Sequence, residues 1–155
     1  MRNRKRSVTL SLAVCYLVCA LLTAGLFVGP WAVKMWFRLF RGLPENSEVL
    51  IYMLTLFKRS FYPCAFLGFV TLYSLIRLLR NIQKDAIFIT ANVKYLRCIS
   101  WCCFVVSLIT SVSGILYIPY LFVSVAAGFV GLMLLVVKNV MANAVQLKEE
   151  NELTI

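Results

Sequence analysis

The sequence predicts an all-α integral membrane protein with four transmembrane helices and an interfacial amphipathic helix after the first. Three observations carry that prediction. The stretch from Ser7 to Val33, SVTLSLAVCYLVCALLTAGLFVGPWAV, holds no charged residue. At about 1.5 Å per residue, roughly 20 apolar residues cross a hydrocarbon core of about 30 Å. The chain is 62% hydrophobic and 14% charged, whereas soluble domains carry roughly 25% charged and about 45–50% apolar residues. A soluble core made from 155 residues cannot hide that excess. The charges that remain fall in short clusters between apolar runs, where they meet anionic head groups. The formal charge of +10 is therefore read as a membrane signature, with no direct nucleic-acid binding.

The first span is expected over about 8–28. The basic stretch MRNRKR precedes it as a cytoplasmic N-terminus, 1–6, and fixes that end inside by the positive-inside rule. The apolar run exceeds the about 7–15 residues of a signal-peptide core, so it is read as a retained span. Ser7, Ser11, Cys15, Cys19 and Thr23 recur every four residues and make a stripe of small side chains that lets another helix approach. Gly29-Pro30 is expected to interrupt this helix. In the segment that follows, Lys34, Arg38 and Arg41 share one helical face among Trp31, Met35, Trp36, Phe37, Leu39 and Phe40. That pattern predicts a short helix lying at the lipid interface.

Residues 42–47 read as a turn, with Asn46 or Ser47 as helix cap. Residues 49–59 read as an interfacial approach to the second span, or an extension of its helix beyond the membrane surface. The second span is expected over 61–79, with Pro63 tolerated in its first turn. Cys64, Gly68 and Thr71 form its small-residue seam, and Arg77 and Arg80 lie at its inner end. A cytoplasmic middle loop, 80–94, follows, with a turn at Asp85, Phe88 at the interface and Thr90 as N-cap of the next helix. The third span, 95–118, carries Ser100, Cys103, Ser107, Ser111 and Gly114 at three- and four-residue spacing, a seam for left-handed packing. Pro119 is expected to end it. Residues 117–120 then make an uncharged tight turn on the outside. The fourth span, 121–137, offers Ser124, Gly128 and Gly131, and a helical cytoplasmic tail, 138–155, ends in acidic residues. The whole, 1–155, is one membrane domain.

Charge supports both termini inside. The N-terminus, middle loop and tail hold eleven of the Lys and Arg residues, the first outside segment five and the last turn none. Those five are the feature that fits the rule least.

The residue types also exclude chemistry. There is no histidine, the usual general base and commonest metal ligand. No ionisable residue sits in mid-span, where ion- and proton-coupled carriers keep one. The six cysteines lie in or beside apolar runs and read as small packing residues. Cys15 and Cys19 lie four apart and Cys102 and Cys103 are adjacent, which does not suit a thiol oxidase. The reading is therefore no enzyme, no catalytic residue, no cofactor and no metal.

Two cytoplasmic stretches are distinctive. One is NIQKDAIFITANVKYLRCIS, with Phe88, Thr90, Asn92 and Leu96 in a Phe-x-Thr-x-Asn pattern followed by a Leu-containing helix start (Ile89 and Ala91 filling variable positions). The other is the closing LKEENELTI, from Leu147 to Ile155. Together they resemble the small four-helix bacterial membrane proteins of domain-of-unknown-function family 2975. The resemblance implies a bacterial plasma-membrane protein whose partner is a small cytoplasmic helix-turn-helix regulator. On that reading Phe88, Thr90, Asn92, Leu96, Leu147, Glu149, Glu150, Glu152 and Leu153 form the contact, and Lys34, Arg38 and Arg41 meet lipid. The competing readings are a transporter subunit or small self-associating permeation protein, built on the small-residue seams as homo-oligomer contacts, and immunity to a membrane-active peptide.

Overall fold

The structure is a computed structural model that describes residues 2–42, 47–115 and 118–152; for residues 2–7, 41 and 152 it describes the backbone only. Four helices follow one another, α1 (Arg2–Arg41), α2 (Glu48–Gln83), α3 (Thr90–Gly114) and α4 (Pro119–Glu152). Each contains a stretch long and apolar enough to cross a membrane. The described helices pack in chain order, α1 on α2, α2 on α3 and α3 on α4. Large apolar side chains such as Phe27, Leu108, Phe122 and Val125 are mostly exposed, as expected where lipid is the solvent.

The α3–α4 contact is the closest, and its residues explain why. Ser100 Oγ donates to the Gly131 carbonyl at 2.8 Å, Ser107 Oγ to the Ser124 carbonyl at 2.8 Å, and Ser124 Oγ back to the Ser107 carbonyl at 2.9 Å. Ser111 also meets Ser124 hydroxyl to hydroxyl. A Cβ placed on Gly131 would lie 3.1 Å from Cys103 Cβ, and one on Gly128 3.0 Å from Ser107 Oγ. The glycines thus let the backbones approach, and the serines use that approach to bond across it. The connection is equally tight. A Cβ on Gly114 would lie 2.8 Å from Leu121 Cγ and 3.0 Å from its amide nitrogen.

That closeness corrects the expected boundary. The helix ends at Gly114, not at Ile118, and Pro119 opens α4 instead of closing α3. A first-turn proline loses no hydrogen bond, because its missing N–H would have had no intrahelical partner.

A second correction concerns α1. It runs through Gly29-Pro30 to Arg41 without a break, so the expected separate interfacial helix is the last three turns of one long helix. A proline frees only a few backbone groups, and neighbouring helices can hold such a helix in line. Here α2 does so. Phe57 and Phe61 stack at 4.9 Å between centroids, and Phe61 packs where a Gly29 Cβ would stand, 3.5 Å away. Residues 49–59 likewise form a continuous extension of α2, capped by Ser47, whose hydroxyl accepts from the Leu50 amide at 3.3 Å. Asn46 lies outside the described residues. At the start of α3 the cap is Ile89 in extended conformation, and Thr90 is the first helical residue. The Thr90 hydroxyl is directed across to α4 instead (3.4 Å to Glu149).

Cross-helix contacts fix a common level. Gly29 of α1 meets Phe57 and Phe61 of α2, Ser60 of α2 bonds Ser113 of α3, and Gly114 meets Leu121 of α4. Gly29-Pro30, Lys58-Arg59 and the α3–α4 connection therefore lie together. About 20 residues back along each helix, or roughly 30 Å, a second level passes near Thr9, Arg80, Lys94 and Lys138. The separation equals the thickness of a hydrocarbon core. Past the first level, the ends of α1 and α2 continue as a protruding helical hairpin.

The seam predicts a position-specific cost. Gly131→Leu should lower stability by about 1–3 kcal/mol through overpacking. Ala126→Leu, on the exposed side of α4, should change it by no more than about 0.5 kcal/mol. Unfolding titrations in mixed micelles measure both.

Candidate functional site

The loop between α2 and α3 is held by one buried amide. After Gln83 the chain turns tightly. The Lys84 N–H donates to the Arg80 and Asn81 carbonyls, the Asp85 N–H to Ile82 and the Ala86 N–H to Asn81, at 3.0–3.2 Å. Asp85 has φ 58, a left-handed conformation that aspartate tolerates better than most residues, in keeping with the expected turn. Asn92 then reaches back from the first turn of α3. Its Nδ2 donates to the Ala86 carbonyl at 2.9 Å and to Ile87 at 2.8 Å. Its Oδ1 accepts from Asn81 Nδ2 at 2.8 Å. The side chain is wholly buried, at 0% exposure, and its amide satisfies carbonyls that would otherwise be left without donors.

Pinning both sides of the turn sets what protrudes. Phe88 sits between the clamped Ile87 and the start of α3 and is 47% exposed. Thr90, also exposed, donates to Glu149 Oε1 of α4 at 3.4 Å. This contact joins the two distinctive stretches, which lie 59 residues apart in sequence. The α4 extension presents Leu147, 61% exposed, beside Glu149 and Glu150, also exposed. Gln146 Nε2 donates to Glu150 Oε1 at 3.0 Å, and Val145 turns inward. The residues singled out from sequence therefore divide. Phe88, Thr90, Leu147, Glu149 and Glu150 lie on the surface. Asn92 and Leu96 are buried and act on that surface only by shaping it. Glu152 ends α4 with its side chain outside the described residues, as is all of Leu153. Chemically, the surface offers an aromatic ring, one aliphatic side chain and carboxylates.

The lipid-facing candidates lie at the other end. Lys34 and Arg38 border a groove of about 270 Å³ with Trp31, Met35 and Leu39. Arg41 closes α1, with its side chain outside the described residues.

The family comparison matches residues 7–155 to a family described as Protein of unknown function (DUF2975). The chain belongs to the DUF2975 family. No curated protein and no solved structure matches it at a significant level. The match covers all four helices of this DUF2975 chain, including the Asn92 clamp and the α4 extension.

Sequence reasoning missed three features of the DUF2975 fold here. Asn81 supplies the third hydrogen bond of the Asn92 amide; an amide at the polar end of a span was the available signal. Arg80 Nη2 donates to Tyr16 OH at 2.7 Å, tying α2 to α1 over 64 residues of sequence. Arg77 Nε donates to Tyr73 OH at 3.1 Å and its guanidinium lies 5.3 Å from that ring's centroid. These tyrosines hold the arginines along the helices at the level of the loop.

Asn92→Ala removes a donor pair from two loop carbonyls and should cost about 1–3 kcal/mol. The loop should loosen before the helices separate. Limited trypsin digestion is expected to cut after Lys84 faster in the variant, with helicity by circular dichroism retained.

Proposed function

We propose that this multi-pass membrane protein is an anchor or sensor that captures a small cytoplasmic helix-turn-helix regulator on the surface made by Phe88, Thr90, Leu147, Glu149 and Glu150. The observation that carries the reading is the Thr90–Glu149 contact, which brings the loop and the α4 extension to one place. A large exposed aromatic held on a clamped turn is an economical anchor, because little side-chain freedom is lost on binding. The choice of a helix-turn-helix partner comes from the family resemblance. The basic N-terminal stretch and the excess of Lys and Arg at this end support its facing the cytoplasm of a bacterial cell.

In this reading the buried amide couples membrane to partner. Asn81 lies in the last turn of α2 and Asn92 in the first turn of α3, so a change in how those helices pack alters the hydrogen bonds that present Phe88. A membrane stimulus would thus act by shifting the loop between two arrangements of different affinity.

A second reading, a transporter subunit or self-associating permeation protein, draws on α1 and α4. Each packs on a single neighbour among the described helices and leaves a long apolar face for another copy or another subunit.

Copurification from native membranes with crosslinking and mass spectrometry tests the proposal. A small DNA-binding protein should crosslink near Phe88 or Glu149. Phe88→Ala should lower its recovery about tenfold, the loss of an anchor worth roughly 1.4 kcal/mol. Recovery of a permease, or of self-crosslinked copies alone, would favour the second reading.

A further inference from the structure

A cleft of about 510 Å³ opens between α2 and α3, at the end of the molecule away from the loop and tail. Its walls change character along the helix axis. Below the level of the α3–α4 connection they are apolar, formed by Leu108, Ile109 and Val112. At that level stands Arg59. Above it, where α2 continues past the end of α3, stand Leu56, Thr55 and Tyr52, the Thr55 hydroxyl donating to the Ile51 carbonyl at 2.8 Å and keeping its lone pairs free to accept. Residues 52, 55 and 59 are spaced three and four apart, so one face of α2 presents them in a column.

Arg59 is exposed and has no side-chain partner among the described residues. An exposed guanidinium at the rim of the hydrocarbon reaches the head-group region, and its planar fork suits the oxygens of a phosphate. The order of an apolar slot, then a cation, then hydroxyl-bearing side chains matches the order of acyl chain, phosphate and polar head group in one lipid molecule. The length also fits. The slot lies beside the last turns of α3, within the depth of one leaflet (about 15 Å from the midplane).

We propose that this cleft is a binding site for one anionic glycerophospholipid, with its phosphate on Arg59, its head group beside Tyr52 and Thr55, and an acyl chain along Leu108, Ile109 and Val112. The site also accounts for a basic residue in a segment that the positive-inside rule would leave poor in Lys and Arg. It is independent of the regulator surface, which lies at the opposite end.

Native mass spectrometry of the full chain released from nanodiscs of mixed phosphatidylglycerol and phosphatidylethanolamine tests this. The wild type should retain one phosphatidylglycerol in preference to phosphatidylethanolamine. Arg59→Gln should lower that retention at least about tenfold, the loss of a charge-assisted hydrogen bond to the phosphate. Lys58→Gln removes the same charge one residue away, outside the cleft, and should leave retention unchanged. Far-ultraviolet circular dichroism of both variants verifies that they fold. Three results would overturn the proposal: equal loss in the two variants, meaning general attraction of charge to lipid; no preference for the anionic lipid; or displacement of the lipid by millimolar inorganic phosphate, meaning a site for free anion.

Discussion

Hydrocarbon offers no water to a polar group, and this constraint governs the structure. Every serine that faces a neighbouring helix must find a partner there or on its own backbone. Ser100, Ser107 and Ser124 find backbone carbonyls across the α3–α4 seam. Ser60 and Ser113 find each other between α2 and α3. Such bonds are modest singly, about 0.6 kcal/mol on average, yet they are directional. They fix which residue faces which, and this register decides everything at the two ends. The glycines are the complement, since without Gly128 and Gly131 the backbones could not come close enough for the serines to reach.

The seam holds α3 and α4 side by side. The α4 extension past Lys138 runs on beyond the start of α3, and the Glu149 side chain meets the Thr90 hydroxyl there. The same logic applies at the far end. Because Ser60 is level with Ser113, α2 overshoots the end of α3, and the column of Tyr52, Thr55 and Arg59 is left standing over an apolar slot. Both surfaces are consequences of helices of unequal length packed in one register.

Much of this was legible in the sequence. Four apolar runs, charge clusters between them and small residues at helical spacing led to four helices and to the seams that join them. The misreadings share a physical cause. Gly29-Pro30 reads locally as a break, and Pro119 as a stop, because propensity describes an isolated chain. Packing of Phe57 and Phe61 against Gly29 keeps α1 running, and the close approach of Gly114 to Leu121 ends α3 early. Asn92 shows the limit of motif reading. Its place in a recognisable pattern marks it as important, but the pattern cannot say whether an amide faces a partner or holds a loop. Burial answers that, and so it separates Phe88 and Thr90 from Asn92 and Leu96. The Arg59 cleft was invisible for the same reason, since it joins residues of two helices whose register only the structure supplies.

The proposed regulator surface requires the loop and the α4 extension to meet. Short-reach bis-maleimide crosslinking of a Thr90→Cys, Glu149→Cys double variant in native membranes tests this most directly. This pair should crosslink rapidly within one chain, and Thr90→Cys combined with Asn139→Cys, on an exposed part of the same helix nearer the membrane, should crosslink little. Crosslinking of Thr90→Cys to Asn139→Cys with none to Glu149→Cys would contradict it, because the tail would then leave the loop instead of meeting it.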